Sequence, residues 1–256
     1  MALTDGLQAY WELEEASGTR ADSVGALDLT DNNTVTSGTG KVGTCALFTC
    51  ANSERLSVAD AAAIDIDDGW SVQYWINIAS GQVGGAGDYQ YVYAKRVGET
   101  GVQDFIQNDA GTWYLYVGTG TTAFGGTKVN VALSVDTWYH VVIYYNGASS
   151  KVYINGSSNS VSLNGITTNA ATLLVGGSTS TDAWAGSIDE FGIWNRELTQ
   201  TDVDNLYNSG SGLAYPLTVG ASGPANLKSY NTNVKANIKS INTNPIANIK
   251  SLNTNV

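Results

Sequence analysis

Short stretches in which apolar and polar residues alternate recur along most of the chain. The clearest covers residues 70–78, where Trp70, Val72 and Tyr74 begin a run of apolar side chains on one face. A two-residue period is that of a β-strand with one buried side. Further strands are predicted at residues 6–11, 42–58, 89–95, 113–117, 138–145, 151–154 and 173–175. The pattern therefore predicts an all-β domain.

The last predicted strand, residues 184–194, contains two adjacent acidic residues and precedes the only predicted helix. Its alternation places Asp189 on the same face as Phe191. Thr199 and Asp202 have the spacing of a helix capping box, which predicts a short helix directly after this strand. A late strand followed by one short helix is unusual in a chain so rich in strands.

The order of these motifs resembles that of the laminin-G-like, concanavalin-A-like jelly rolls. The resemblance covers residues 5–213, and it depends on the segments GLQAYW, ADSVG, WSVQYWI, WYHVVIYYNGASSKVYINGS, LLVGG and GSIDEFGIWNREL. It implies an antiparallel two-sheet jelly-roll sandwich. It also implies binding in place of catalysis, since the family includes glycan-binding modules, adhesion domains and appendages of phage structural proteins.

The composition changes after residue 216. All 23 acidic residues precede Pro224, whereas the tail beyond it contains four lysines and no acid. The tail consists of three near-repeats with an eleven-residue period, 225–235, 236–246 and the ten residues 247–256. Each has one apolar pair: Leu227 and Tyr230, Ile238 and Ile241, and Ile249 and Leu252. So few apolar groups cannot bury a core alone. We therefore expect a jelly roll at 1–216, followed at 217–256 by a linker and a repeat segment.

Two interpretations of this tail are open. It is either a disordered polar segment or an ordered stack in which the repeats of several copies align. The second interpretation predicts that the tail oligomerises or anchors the protein, with a homotrimer as the expected assembly.

The net charge argues against a nucleic-acid partner, and the short apolar runs argue against a membrane span. The formal net charge is −11, which argues against nucleic-acid binding. No apolar run approaches the ~18 residues of a membrane span, and no secretory signal is visible at the start of the sequence.

Cys45 and Cys50 would lie ~16 Å apart on one extended strand, too far for a disulfide. Free thiols favour folding in a reducing compartment.

The sequence contains no complete set of catalytic side chains of either of two kinds, a carboxylate pair or a histidine-based site. The laminarinase-like glycosidases of the same sandwich class require two carboxylates about 5 Å apart on one strand face. Here Ser187 and Phe191 flank the pair Asp189–Glu190, so the second carboxylate is missing. His140 is the only histidine, and we expect it to be a packed strand residue. No enzyme activity is predicted.

Two kinds of binding site are candidates. The family resemblance implies a structural Ca²⁺ near Asp22 and Asp189; the alternative is that Asp189 accepts hydrogen bonds from backbone N–H groups. Aromatic residues in or beside loops are candidates for stacking on sugar rings, with core packing as the alternative. These candidates are Tyr89, Tyr91, Trp113, Tyr116 and Trp184.

These observations predict a non-enzymatic structural and binding protein. It would display a lectin-like jelly roll on a virion or another extracellular assembly, with the C-terminal repeats as anchor or oligomerisation segment. The alternative is a secreted carbohydrate-binding module or adhesin. Its partners would be further copies, other proteins of an assembly, or a glycan.

Overall fold

A computed structural model describes residues 1–81, 89–98, 100–119, 126–178 and 182–219. Within this part Met1–Thr218 forms one compact unit. It contains the helix α1 (Gln200–Tyr207). Its strands, in chain order, are β1 (Leu7–Trp11), β2 (Thr30–Asn32), β3 (Thr36–Thr39), β4 (Thr44–Phe48), β5 (Arg55–Val58), β6 (Ser71–Ile78), β7 (Tyr89–Val97), β8 (Thr100–Asp109), β9 (Thr112–Thr119), β10 (Thr127–Leu133), β11 (Trp138–Tyr144), β12 (Lys151–Ile154), β13 (Ser157–Ser160), β14 (Leu173–Val175) and β15 (Gly186–Trp194).

The strands form two sheets. The eight-stranded sheet has the order β13-β12-β11-β6-β15-β4-β3, with β1 also paired to β15, and the seven-stranded sheet has the order β10-β9-β8-β7-β14-β5-β2. Every described pairing of strands is antiparallel. The predicted all-β jelly-roll sandwich is thereby confirmed.

The main hydrophobic core lies between the two sheets. As predicted from the alternation in β6, Val72, Tyr74 and Ile76 are fully buried there, and β9 contributes Leu115 and Val117 from the opposite sheet. Each apolar side chain buried in this way stabilises the fold by roughly 1.5–3 kcal/mol. The contact between these two faces therefore fixes how the sheets lie against each other.

A bulge interrupts β15, and the predicted alternation of this strand is wrong at that point. The register shifts between Asp189 and Gly192, and Glu190 has a left-handed backbone with φ of 52°. As a result Ile188 and Phe191 lie in the same core cluster, although a regular strand would place them on opposite faces. The carboxyl group of Asp189 therefore does not share a face with Phe191.

Strand β8 was not predicted, because its sequence contains several polar residues. One of them, Asp104, is fully buried between the sheets. Tyr74 and Tyr145 donate hydrogen bonds to its two carboxyl oxygens at 3.0 and 3.2 Å, and Tyr145 also contacts the hydroxyl group of Tyr93. Burial raises the pKa of Asp104 to about 8. A neutral carboxylic acid is therefore part of the core at neutral pH.

Helix α1 covers part of the outer face of the eight-stranded sheet. The predicted capping box is confirmed: the Thr199 side chain accepts from the backbone N–H of Asp202, and the Asp202 side chain accepts from that of Thr199. The helix buries Val203 and Leu206 in a second apolar cluster that includes Trp194 of β15. Since α1 is the only α-helix among the described residues, no α-helix covers the outer face of the seven-stranded sheet there.

The end of the compact unit lies slightly beyond the predicted domain boundary. Leu217 is 3% exposed and belongs to the cluster under α1. The six tail residues predicted to drive oligomerisation lie outside the described residues: Leu227, Tyr230, Ile238, Ile241, Ile249 and Leu252. Cys45 and Cys50 form no disulfide, as predicted. In the described part of the chain, no helix has the length and apolarity that crossing a membrane requires.

The substitution Asp104→Asn should change how stability depends on pH. The folded protein keeps the Asp104 proton up to about pH 8, whereas the unfolded chain releases it above about pH 4. Folding therefore becomes less favourable as the pH rises through this window. The variant lacks this proton, so we expect its Tm to fall less between pH 4 and pH 8. The difference should correspond to a few kcal/mol, since one pKa unit is about 1.4 kcal/mol.

The matched control is Asp68→Asn, because Asp68 is exposed. Thermal melting followed by circular dichroism should give this control the same pH dependence as the unmodified protein. An equal fall of Tm in the Asp104→Asn variant and the unmodified protein would contradict the role of the buried acid.

Candidate functional site

Four aromatic side chains form a patch on the outer face of the seven-stranded sheet. This aromatic patch consists of Tyr89, Tyr91, Phe105 and Tyr116. Tyr91 lies directly opposite Phe105, which in turn lies directly opposite Tyr116, across the adjacent strands β7, β8 and β9. The ring centroids of Phe105 and Tyr116 are 5.3 Å apart in a stacked geometry. Those of Tyr91 and Phe105 are 5.4 Å apart.

A bulge in β7 determines which side chains of this strand face outward. The register between β7 and β8 shifts between Tyr91 and Tyr93. Tyr91 therefore belongs to the outer patch, whereas Tyr93 lies in the core. Tyr91 and Phe105 are only 1% and 2% exposed, and Tyr89 and Tyr116 are half-buried. The outer two rings are the ones that a ligand can reach.

Polar groups lie at the β9 side of the aromatic patch. Tyr116 and Lys128 each donate a hydrogen bond of 2.7 Å to the same carboxyl oxygen of Asp109. These two donors lower the pKa of Asp109, with Lys128 the larger cause. Burial and the hydrogen bond to Asp109 raise the pKa of Tyr116 to about 12. Lys128 also lies 3.4 Å from the ring centroid of Tyr114, within cation–π distance.

A groove of about 610 Å³ lies on the same outer face, across β7, β14, β5 and β2. Ala94, Leu174 and Ser57 form one cross-strand row in its floor. Two arginines, Arg55 and Arg96, also line it. Ala94 also packs against the aromatic patch, so the groove adjoins the patch.

The two arginines make few contacts with the protein. The guanidinium carbon of Arg96 lies 5.6 Å from the ring centroid of Tyr91, and one of its nitrogens donates to the carbonyl of Gly98 at 3.4 Å. Arg55 donates to the carbonyl of Ser53 at 3.3 Å. Both side chains are half-buried. Most of their N–H donors therefore remain available to a ligand.

The structure divides the five predicted sugar-stacking candidates into two groups. It brings Tyr89, Tyr91 and Tyr116 together in the aromatic patch. Trp113 and Trp184 instead lie in the core between the sheets, 7% and 0% exposed.

Phe105 was missed as a member of the patch. The signal was present, because Phe105 and Gln103 alternate with core residues of β8 in the sequence VQDFIQ. The polar residues of this stretch concealed the strand.

The side chain of Asp22 is held by backbone N–H groups. Its carboxylate accepts hydrogen bonds from the N–H groups of Tyr10, Val24 and Leu27 at 3.1, 3.0 and 3.2 Å. A calcium ion needs oxygen ligands, and these donors occupy the oxygens of Asp22. The contacts tie the turn after β1 to the strand itself.

The carboxyl group of Asp189 accepts hydrogen bonds from a different loop. One of its oxygens accepts from the N–H groups of Lys41 and Val42 at 2.7 and 3.0 Å, and the other has no hydrogen-bond partner. Burial raises the pKa of Asp189 to about 7. In the described part of the chain, no three His, Cys, Asp or Glu side chains form a group that could hold a metal. Backbone N–H groups thus hold both carboxylates, and the calcium ion near Asp22 and Asp189 stays a prediction.

The neighbouring carboxyl group of Glu190 belongs to a buried polar chain. Tyr10 donates to Glu190, Gln73 donates to the Tyr10 hydroxyl at 3.3 Å, and Nε2 of His140 lies 2.8 Å from the side-chain oxygen of Gln73. Burial raises the pKa of Glu190 to about 8 and lowers that of His140 to about 3. The predicted packed histidine is confirmed.

Comparisons with known proteins agree with this architecture. A sequence model of the family described as Concanavalin A-like lectin/glucanases superfamily matches residues 51–204. The comparison with curated proteins gives no match.

Solved structures with the same fold include three of different origin. Domain 4 of AbnA, a GH43 extracellular arabinanase from Geobacillus stearothermophilus, was solved in complex with arabinotriose. It has 17% identity and a TM-score of 0.58, over 80% of this chain and 98% of that domain. The binding domain of botulinum neurotoxin DC in complex with SialylT has 16% identity and a TM-score of 0.63, over 81% of this chain and 52% of that one.

The third is a mutant of Trypanosoma rangeli sialidase displaying trans-sialidase activity, with 13% identity and a TM-score of 0.60, over 82% of this chain and 34% of that one. This chain thus spans about half of the toxin binding domain and about a third of the sialidase. At these identities the likeness shows the fold alone.

The substitution Asp22→Ala tests the structural role of this carboxylate. Removing it leaves three backbone N–H groups without their acceptor, which should lower the free energy of unfolding by about 1–3 kcal/mol. Because three backbone N–H groups hold Asp22, we expect the same loss in excess calcium and in chelator. Thermal melting in both conditions measures it.

Asp67→Ala is the control, since Asp67 is exposed and accepts one backbone hydrogen bond from its neighbour. Its effect should be smaller. A loss of stability by Asp22→Ala that occurs only in calcium would show that Asp22 acts through a bound ion.

Proposed function

Since the chain belongs to the Concanavalin A-like lectin/glucanases superfamily, we propose that it is a non-enzymatic carbohydrate-binding protein. The binding surface is the outer face of the seven-stranded sheet. One observation supports this above all: the aromatic patch and the groove adjoin at Ala94 on a sheet face that has no covering α-helix among the described residues.

The chemistry of this surface suits a saccharide. A sugar ring presents an apolar C–H face, which packs on an aromatic ring such as Tyr89 or Tyr116, and a rim of hydroxyl groups that needs hydrogen-bond partners. Asp109, Lys128 and Ser57 supply such partners around the rings and in the groove floor. A volume of about 610 Å³ accommodates a short oligosaccharide.

The positions of the carboxyl groups support binding without hydrolysis. A glycosidase needs two carboxylates that flank the scissile bond. The lining of the groove includes no Asp or Glu among the described residues. Asp189 and Glu190 are 0% and 1% exposed and belong to the other sheet, so neither reaches a ligand on this surface.

Two of the structures with this fold were solved with saccharide ligands. The AbnA domain is in complex with arabinotriose, and the toxin binding domain is in complex with SialylT. These titles describe those proteins, and they supply a precedent for our proposal on this chain.

Display on a virion or another extracellular assembly is the second part of the proposal. It is supported by the sequence of residues 224–256, with its near-repeats and four lysines beside a strongly acidic jelly roll. The tail would join copies, with a trimer as the expected state, or bind another protein of the assembly. A secreted carbohydrate-binding module or adhesin would use the same surface.

The substitution Tyr116→Ala should weaken saccharide binding. Loss of one stacking ring should reduce affinity roughly 2- to 10-fold. The measurement is calorimetric titration of the full-length protein with the tightest-binding oligosaccharide of a glycan array. The oligosaccharide should be recovered unhydrolysed.

Tyr144→Ala is the matched control, because Tyr144 is also half-buried but lies on β11 in the other sheet. It should leave the affinity unchanged, with the Tm of both variants recorded. Equal losses in the two variants, or cleavage of the saccharide, would contradict the proposal.

Truncation after Thr218 tests the role of the tail. We expect the shortened protein to keep its Tm, because Met1–Thr218 contains the core and the buried Leu217. Its mass in light scattering should fall to that of a monomer. A truncated protein that retains the assembly of the full-length chain would show that the jelly roll itself makes the oligomer.

A further inference from the structure

We propose that the groove selects acidic saccharides, and that Arg55 and Arg96 hold the negatively charged substituent. The inference rests on the proposed function and narrows it to a class of ligand: a short saccharide with a carboxylate or sulfate group.

The groove differs in charge from the chain as a whole. The protein has 23 acidic and 12 basic residues. The described lining of the groove nevertheless includes two arginines and no acidic residue. Against a negative background, a local concentration of positive charge of this kind attracts a single anionic group.

The two arginines also lack the ionic partners that Lys95 and Arg196 have. Lys95 is held by Asp60 and Asp65 at 2.6 and 3.0 Å, and Arg196 is paired with Asp202 at 2.8 Å. Within the described part of the chain, Arg55 and Arg96 form no ion pair. A guanidinium group has five N–H donors in a planar fork, which matches a carboxylate or sulfate group.

The register places the arginines on opposite sides of the groove. Ser57, Leu174 and Ala94 are level with one another across three strands. Arg55 precedes Ser57 by two residues, and Arg96 follows Ala94 by two residues. Since β5 and β7 are both antiparallel to β14, they run in the same direction, and the Cα atoms of the arginines are roughly 16 Å apart. Their side chains flank the space between them.

Arg96 connects this charge to the aromatic patch. Its guanidinium group lies 5.6 Å from the ring of Tyr91, which stabilises it over the patch. A saccharide that packs beside the patch would therefore bring its acidic substituent to the Arg96 guanidinium, with Arg55 on the other side of the groove. This geometry favours a short ligand with one or two charges. The acidity of the jelly roll disfavours a long polyanion such as a nucleic acid.

The experiment compares matched acidic and neutral saccharides on the full-length protein by calorimetry. The pairs are 3′-sialyllactose against lactose and trigalacturonate against galactotriose, and lactose 3′-sulfate separates sulfate from carboxylate recognition. We expect at least one acidic member to bind about 10- to 100-fold more tightly than its neutral partner, as charge-assisted hydrogen bonds predict. Added salt should weaken this binding.

The variants Arg55→Gln and Arg96→Gln should each remove most of this preference and leave the affinity for neutral saccharides unchanged. Lys151→Gln is the control, because it removes one positive charge on β12 of the other sheet. Arg96→Lys keeps the charge and loses the planar fork, so it should bind with intermediate affinity. Circular dichroism and Tm confirm folding, and the lysine variant at the same position, Arg55→Lys or Arg96→Lys, replaces a glutamine variant that fails to fold.

The possible results separate a failure of this inference from a failure of the proposed function. Equal affinity for acidic and neutral saccharides overturns the inference and leaves the proposed carbohydrate binding intact. A preference for acids that survives both glutamine variants also overturns it. Absence of binding to every saccharide, neutral or acidic, overturns the proposed function together with the inference. A preference for acids lost in the arginine variants and kept in Lys151→Gln supports both.

Discussion

Tyr207 of α1 stacks on Trp75 and His140, with ring centroids 5.8 and 5.9 Å apart, and this contact holds the helix against the eight-stranded sheet. Each sheet of a sandwich has one face in the core and one outer face. The helix and the chain segments around Leu3 and Leu217 bury the outer face of the eight-stranded sheet in a second apolar cluster. Among the described residues, no α-helix covers the opposite outer face, where Tyr89 and Tyr116 are half-buried and open to a ligand.

Bulges determine which side chains reach that surface. In β7 a bulge separates Tyr91 from Tyr93, and one ring joins the aromatic patch while the other joins the core. In β15 a bulge brings Ile188 and Phe191 to the same face. An extra residue changes the phase of the side chains beyond it. Strict alternation therefore predicts where strands lie more reliably than which face each residue occupies.

Buried acids distinguish the structural sites of this protein from its ligand surface. Asp104, Asp189 and Glu190 are each inside the fold, and burial raises the pKa of all three carboxyl groups. They hold strands and loops together through tyrosine and backbone donors. The groove with Arg55 and Arg96 has the opposite character, since its charges are half-buried and without an ionic partner in the described chain.

The sequence by itself determined the features that depend on local pattern. Alternation predicted the all-β class, the spacing of Thr199 and Asp202 predicted α1, and the spacing of Cys45 and Cys50 predicted that they form no disulfide. These predictions succeeded because strand period, capping and chain reach act between neighbours along the chain.

Only the tertiary structure decided which distant residues meet. It placed Trp113 and Trp184 in the core, showed that backbone donors occupy Asp22, and brought Arg55 and Arg96 to one groove. Sheet order and bulge position set these contacts, and both arise from packing between strands far apart in sequence.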